Sequence, residues 1–390
     1  MNSALYGLPD DVLIYNFTFL AVPDILLLRQ TCKRFNALTR LPIVWTNAFK
    51  LDILSNDYPY SPPPPKIDTM STGSPVSEIR FVPRRQQNWL LTLSKEYSVL
   101  TIWDITHSHK CSEWSSKGAI FTEMAINADP ESEASIAVWM FSIGIVLLNL
   151  DDNGTLHEIR TIDMNLRPVA LTGDIMALTD DVSKTVIYNW KTNERAYLDE
   201  GGGSHHNRSL EVVFTPSTIL VVRVSSISLY TRPPLLDGKT HIPLASQSFS
   251  RAYGVSVPTS ALNNPLSILM CSFPSFESNA LCASVKLYSL SSFPQKLSSN
   301  IPYRCRAFLT IGFVLGKRAT AVWIRPQNHY GCETLVAAVY PGPLNATTEV
   351  RVRDVFSNPL NNWTMLDYEE DLGRVAVGSW PGNDVTVIQL

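Results

Sequence analysis

Apolar positions in the first fifty residues recur at helical spacing. Leu13, Phe17 and Leu20 fall at i, i+4 and i+7, one stripe of an amphipathic helix. Leu8-Pro9-Asp10-Asp11 opens it, because proline is tolerated in a first turn and carboxylates suit the positive end of the helix dipole. Pro23-Asp24 repeats that start signal, and Ile25, Leu28 and Cys32 form a second stripe. Phe35 and Leu38 belong to a third short helix that must end near Pro42, and Trp45 and Phe49 follow on a last apolar turn. Between Leu8 and Phe49, 24 of 42 residues are apolar, more than three short helices can hide among themselves. The pattern therefore predicts a partner that finishes this core.

Tyr58-Pro59-Tyr60-Ser61 and Pro62 to Pro65 interrupt the helical pattern and favour a stiff extended spacer. From about Glu78 onward, short apolar stretches alternate with turn residues. Strand pairs read Trp89–Leu93 with Val99–Asp104, Ile136–Trp139 with Ile145–Leu148, and Ile175–Leu178 with Thr185–Tyr188. The form returns as Leu220–Val222 with Ile227–Tyr230, Ala280–Cys282 with Val285–Tyr288, Leu335–Val339 with Val350–Arg353, and Val375–Val377 with Asp384–Ile388. Markers at Trp103, Leu148, Tyr188, Tyr230, Tyr288, Arg353 and Ile388 are separated by 45, 40, 42, 58, 65 and 35 residues. Several short strands per unit at a period of roughly 40 to 50 residues is the signature of propeller blades. Regularly spaced strands also suit a two-sheet sandwich, but a sandwich seldom needs about three hundred residues.

The expected fold is an α+β multidomain chain: a small all-α module of three helices over residues 1–54, a proline-rich linker over 55–75, and an all-β domain over 76–390 with about seven blades. Asp384–Ile388 reads as the third strand of a four-strand blade. Residues near Ile67, within Lys66-Ile67-Asp68-Thr69-Met70, are expected to supply its outer strand and close the ring.

The order Leu8-Pro9, Asp11, Leu13, Leu20, Asp24-Ile25, Lys33-Arg34-Phe35 and Leu41-Pro42 through Trp45 resembles the F-box. This is the motif by which substrate receptors attach to the Skp adaptor of a cullin–RING ubiquitin ligase. Asn16 stands where the family usually carries an aliphatic residue, and Thr31 replaces a common valine. The resemblance implies that Leu8, Pro9, Leu13, Leu20, Ile25, Leu28, Phe35 and Trp45 face the adaptor or brace the face that does. The β-domain resembles WD40 repeats through its period and through Ile102-Trp103-Asp104-Ile105, with no Gly-His partner upstream. F-box receptors with WD40 domains often grip phosphorylated ligands through arginines, since a guanidinium fork holds phosphate oxygens in pairs. Arg84-Arg85, Arg223, Arg351 and Arg353 are the matching residue types here. Alternation puts Arg351 and Arg353 on one face, which also fits a plain exposed outer strand.

A net charge of −3 without a long block of one sign gives no electrostatic case for nucleic acid or anionic membrane. The six cysteines lack C-x-x-C spacing and a disulfide-dense pattern, which fits reduced thiols in cytoplasm or nucleus. Five Asn-x-Ser/Thr triplets occur, at Asn16, Asn153, Asn207, Asn345 and Asn362, with no secretory signal pattern before them. The uncharged run from Ala134 to Leu150 is split by Ser142-Ile143-Gly144, and reads as two buried strands rather than a membrane span.

No Gly-x-Ser-x-Gly, phosphate loop or His-Glu-x-x-His occurs. His107-Ser108-His109 with Cys111 has zinc-ligand chemistry, but no fourth ligand stands at a suitable spacing, so it reads as a solvated loop after a strand. Gly201-Gly202-Gly203-Ser204 before His205-His206 reads as a flexible turn. Asp151-Asp152 and Glu369-Glu370-Asp371 are read as solvated loop carboxylates rather than acid/base pairs. No metal or cofactor is expected. The sequence therefore points to a non-enzymatic substrate receptor, partnered by the Skp adaptor, through it a cullin–RING ligase, and an unidentified protein substrate. A propeller hydrolase with a helical cap and a Skp-binding scaffold without ubiquitination are the alternatives.

Overall fold

The structure is a computed structural model that describes residues 8–20, 22–41, 43–45, 66–83, 89–199, 207–235, 238–249, 251–258, 267–272, 282–289, 296–304, 312–326, 332–341, 349–360, 362–379 and 382–390. Expectations resting on Pro42, Phe49, the proline run 62–65, Arg84-Arg85, residues 201–206, Ala280-Leu281 and Asn345 lie outside them. Contacts divide the chain into Met1–Pro65 and Lys66–Leu390.

Among the described residues, the named helices of the first unit are α1 (Asp10–Phe17), α2 (Val22–Thr31) and α3 (Lys33–Leu38), and residues 43–45 are also helical. Pro9 precedes α1 in an extended conformation, and Asp10 and Asp11 fill its first turn. Cys32 caps α3, its sulfur accepting the Phe35 N–H at 3.4 Å. Leu13, Phe17, Ile25, Phe35, Leu38 and Val44 form the core, flanked by Leu8, Leu20, Leu28 and Trp45. Phe17 and Phe35 meet edge to face at 5.4 Å, the favoured geometry for an aromatic pair.

The described residues of the second unit form seven sheets, antiparallel apart from one short parallel edge, six of four strands and one of five. Blade 1 runs Glu78–Phe81, Trp89–Ser94, Val99–Asp104 and His109–Ser115; blade 2 runs Ile120–Ile126, Ile136–Phe141, Gly144–Leu150 and Leu156–Ile162. Each of seven apolar clusters joins two neighbouring blades, so the ring is continuous. The uncharged run forms the hairpin of blade 2. Ser142 and Gly144 adopt positive φ there, and a Cβ on Gly144 would strike the Ile162 carbonyl. No helix among the described residues is long and apolar enough to cross a membrane.

The last blade takes Trp363–Glu369, Arg374–Ser379 and Asp384–Gln389 from the C-terminus and Lys66–Ser71 from the other end of the unit. Ile67 pairs with Ile388 and Met70 with Val385, as the missing outer strand required. Residues 66–71, placed within the 55–75 spacer by composition, are thus part of a sheet. An outer strand with polar Lys66, Asp68 and Thr69 and a single buried apolar residue, Met70, has little hydrophobic signal of its own.

Two strand assignments need correction. Cys282–Ser289 is one continuous strand, not half of a hairpin with residues 280–282, and it pairs with Ser267–Ser272. Glu333–Val339 is a third strand paired with the outer strand Arg351–Asn358, and the second strand is Thr320–Pro326. Arg353 therefore marks a fourth strand, and shifting the marker to the third restores spacings of about fifty residues on both sides. The 58-residue gap contains an excursion in which Thr240–His241 adds a short parallel edge to the preceding blade.

Candidate functional site

In the helical module, the residues that face solvent matter most. Val12, Tyr15, Phe19, Leu26, Leu27, Leu41 and Ile43 are all exposed, Tyr15 at 66% and Leu27 at 61%. Tyr15 and Phe19 lie edge to face at 5.0 Å. The cause is local: Ile25-Leu26-Leu27-Leu28 are consecutive on α2, and at about 100° per residue they cannot share one face. Ile25 is inside and Leu26 and Leu27 are outside. Six exposed or half-open leucines, at 8, 20, 26, 27, 28 and 41, and their neighbours exceed what a soluble surface usually shows as scattered apolar residues.

Of the eight residues expected to serve adaptor binding, Leu13, Ile25 and Phe35 are buried, Leu8, Leu20, Leu28 and Trp45 are half-buried, and Pro9 is exposed. Trp45 donates its indole N–H to the Thr39 carbonyl at 2.6 Å and lies under the Arg29 guanidinium at 5.2 Å. Arg34 ties α3 to the start of α1 by bonds to Asp10 at 2.6 and 2.8 Å and to the Leu8 carbonyl. Asn16 and Thr31, the two departures from the motif, are exposed and bond back to the Val12 and Leu28 carbonyls at 2.7 Å. The sequence reading missed the second apolar face; the unbroken Leu26-Leu27-Leu28 run was its signal.

In the propeller, the first strand of each blade borders the central channel. Five of these strands carry a bulge, at residues 121–123, 168–170, 209–211, 252–254 and 363–365. A bulge inserts one residue and re-aims those that follow, here Glu123, Glu211 and Asp367. Their charges, with Glu78, act on Arg80. Arg80 pairs with Glu78 at 3.1 Å and keeps 46% of its side chain accessible, while Asp367 accepts the Phe81 N–H at 2.6 Å. Burial pushes the Glu211 carboxyl up to about 7, with Arg80 opposing. Burial also raises Glu78 and Asp367, again against Arg80. Arg167, at the start of the first strand of blade 3, pairs with Glu123 at 3.3 Å, so the channel is a partly dehydrated row of carboxylates facing Arg80 and Arg167.

Among the described residues, the arginines singled out for phosphate, Arg223, Arg351 and Arg353, are not brought together. Arg223 is fully buried and reaches Thr185 and the Tyr230 hydroxyl, both at 3.4 Å. Arg351 and Arg353 stand on an exposed outer strand. The carboxylates weighed as acid/base pairs are engaged in turns and ion pairs. Asp151 accepts the Asn153 and Thr155 N–H groups and contacts His157 at 3.1 Å; Asp371 pairs with Lys317 at 2.8 Å. Asn207, one of the glycosylation triplets, is buried against Ser225 and Ser226.

Comparison with known proteins agrees with both units. Residues 5–50 match the F-box-like family model. No curated protein matches the chain. Among solved structures, the β-propeller domain of Cps50 (Swd1) from Myceliophteria thermophila is similar over 83% of this chain and 100% of its own, at a TM-score of 0.57 and 9% identity. At that identity the likeness speaks for the fold alone. This chain carries an F-box-like domain at residues 5–50, followed by a seven-bladed β-propeller.

Proposed function

We propose that the protein is a substrate-recognition subunit of a Skp–cullin–F-box ubiquitin ligase and has no catalytic activity of its own. The helical module docks on the Skp adaptor, and the propeller holds a protein substrate. Ubiquitin transfer is performed by other subunits, helped by the raised effective concentration of substrate lysines near the charged conjugating enzyme. The observation that carries the reading is the F-box-like match over residues 5–50, in a module that leaves Val12, Tyr15, Phe19, Leu26, Leu27, Leu41 and Ile43 open to solvent. In this reading those residues, with Pro9 and the rims of Leu8, Leu20, Leu28 and Trp45, make the contact. Leu13, Ile25 and Phe35 act from beneath by fixing helix positions.

The test is co-purification of the Skp adaptor with the full chain, with Leu8→Ala/Pro9→Ala, and with Leu26→Ala/Leu27→Ala. Removing buried interface leucines costs about 2–5 kcal/mol each, so adaptor recovery should collapse in both variants while the propeller melts unchanged. Undiminished recovery in both would overturn the assignment. Reconstituted ubiquitination of a captured partner then separates a ligase receptor from a scaffold.

A further inference from the structure

His107, His109 and Cys111 sit at a blade edge, and folding adds the ligand their spacing lacked. In blade 1, Val99–Asp104 and His109–Ser115 form a hairpin in which Asp104 is directly opposite His109, so their side chains share one face. Ile102 pairs with Ser112 and Trp103 with Lys110. Cys111 is thus the extra residue of a bulge, free of the strict alternation of its strand. In the turn His107 Nδ1 lies against Asp104 Oδ2 at 2.6 Å, and Ser108 takes a positive φ of 52° as the chain enters the next strand at His109. Ligand atoms of Asp104, His107 and His109 all lie within 4.8 Å of one another. Cys111 Sγ is 4.0 Å from His109 Nε2.

We propose that Asp104, His107, His109 and Cys111 form a zinc-binding site at this turn. A tetrahedral zinc with ligand distances of about 2.0–2.3 Å needs ligand atoms roughly 3.3–3.8 Å apart. The Asp104, His107 and His109 atoms, within 4.8 Å of one another, therefore need to close by up to about 1.5 Å. Cys111 Sγ, outside that group and 4.0 Å from His109 Nε2, joins as the imidazoles turn toward it. His107 and His109 are exposed and have the rotamer freedom to do so, while half-buried Asp104 and Cys111 make the floor. One carboxylate, two imidazoles and one thiolate suit zinc, and the nitrogen and sulfur donors exclude the oxygen-seeking calcium and magnesium. Binding releases the Cys111 thiol proton and moves the His107 proton off Nδ1; the two anionic ligands then balance the charge of Zn²⁺.

The site reaches the next blade. A Cβ on Gly154, in the turn after the third strand of blade 2, would come within 2.9 Å of Cys111 Cβ. An ion here fastens the outer strand of blade 1 beside the blade 1–blade 2 seam. Asp104 is the aspartate of the Trp103-Asp104 strand ending, so one residue serves both the blade and the site.

The reduced, chelator-treated full chain is titrated with Co²⁺ and then Zn²⁺. One equivalent of Co²⁺ should give visible bands of tetrahedral intensity and a near-ultraviolet thiolate charge-transfer band, both abolished by Zn²⁺. Cys111→Ser should remove the charge-transfer band. His107→Ala/His109→Ala should weaken binding by at least about tenfold, the loss known even for residues that only support a ligand. His205→Gln/His206→Gln should leave the spectrum unchanged. Absence of these bands at one equivalent overturns the proposal, as does unaltered binding in His107→Ala/His109→Ala or loss of binding in His205→Gln/His206→Gln. Because the hairpin turn is at the surface, metal-free variants should keep the parent melting temperature, which separates lost ligands from lost folding.

Discussion

The helical module and the propeller solve the same problem in opposite ways. In the propeller, every blade hands its apolar face to the next, and the seventh cluster brings Met70, Ala376, Val385 and Val387 against Ile79, Leu90 and Trp103 of blade 1. The ring buries the facing sides of its blades against one another, and its exposed apolar residues, such as Ile242 and Leu360, lie outside those clusters. In the module, a core of Leu13, Phe17, Ile25, Phe35, Leu38 and Val44 coexists with exposed Tyr15, Phe19, Leu27 and Ile43. A helix apolar on two sides in a small unit has one side left over. The difference teaches where to look for partners: a closed ring offers loops, channel and rim, whereas an open bundle offers its hydrophobic face.

The comparison breaks most severely if closure is removed. A fragment beginning at residue 72 lacks the strand paired with Asp384–Gln389 and exposes a raw sheet edge. Relative to a fragment beginning at 66, its melting temperature should fall by about 5–10 °C and its aggregation should rise. Equal melting by calorimetry would show that the ring does not depend on this strand.

Next in size is the module's own core. Ile25→Ala removes a fully buried side chain and should cost about 2–5 kcal/mol, whereas Leu27→Ala, one face away, should stay within about 0.5 kcal/mol. Chemical denaturation of both variants checks this. A large stability loss at Leu27 would mean that its face is already covered within the chain.

The channel gives a smaller, pH-dependent effect. Glu211 has an ordinary carboxyl value of 4.5 when unfolded and about 7 when folded, so the folded state binds the proton more tightly. Stability is then highest at low pH within this window and declines as pH rises from about 4.5 through 7. Glu211→Gln should raise stability at pH 8 by about 1 kcal/mol, a value discounted for water in the channel, and flatten the profile between pH 5 and 8. A parallel profile in the variant would show that Glu211 titrates normally.

Much of this organisation was legible because it rests on repeats of local pattern. Trp89–Leu93 with Val99–Asp104 and Ile136–Trp139 with Ile145–Leu148 are hairpins whose two strands are both apolar and adjacent in sequence, and they form as expected. Reading failed where strand and partner are far apart or where an outer strand is polar. Ser267–Ser272 pairs with Cys282–Ser289 across an intervening segment, and the outer strand Arg351–Asn358 begins with four exposed residues. The channel carboxylates escaped notice because bulges, not alternation, aim them. Asp104 escaped because a residue that ends a strand in one motif was not counted as a ligand for the loop beyond it.

The strand Lys66–Ser71 also sets an order of events during synthesis. Thr69 meets Thr386 across 317 positions of sequence, so the ring has no final edge partner until almost the whole propeller has left the ribosome. Loop closure over such a span is slow to be rewarded by contacts, and in the interval both the 66–71 segment and the growing sheet edge are available to other chains. The described core of the helical module, by contrast, is built from contacts between residues 8 and 45. Under the proposed function the module is therefore ready to meet the Skp adaptor while the following domain is still an open arc, and early engagement of that adaptor would shield the exposed leucines during the slowest stage of folding.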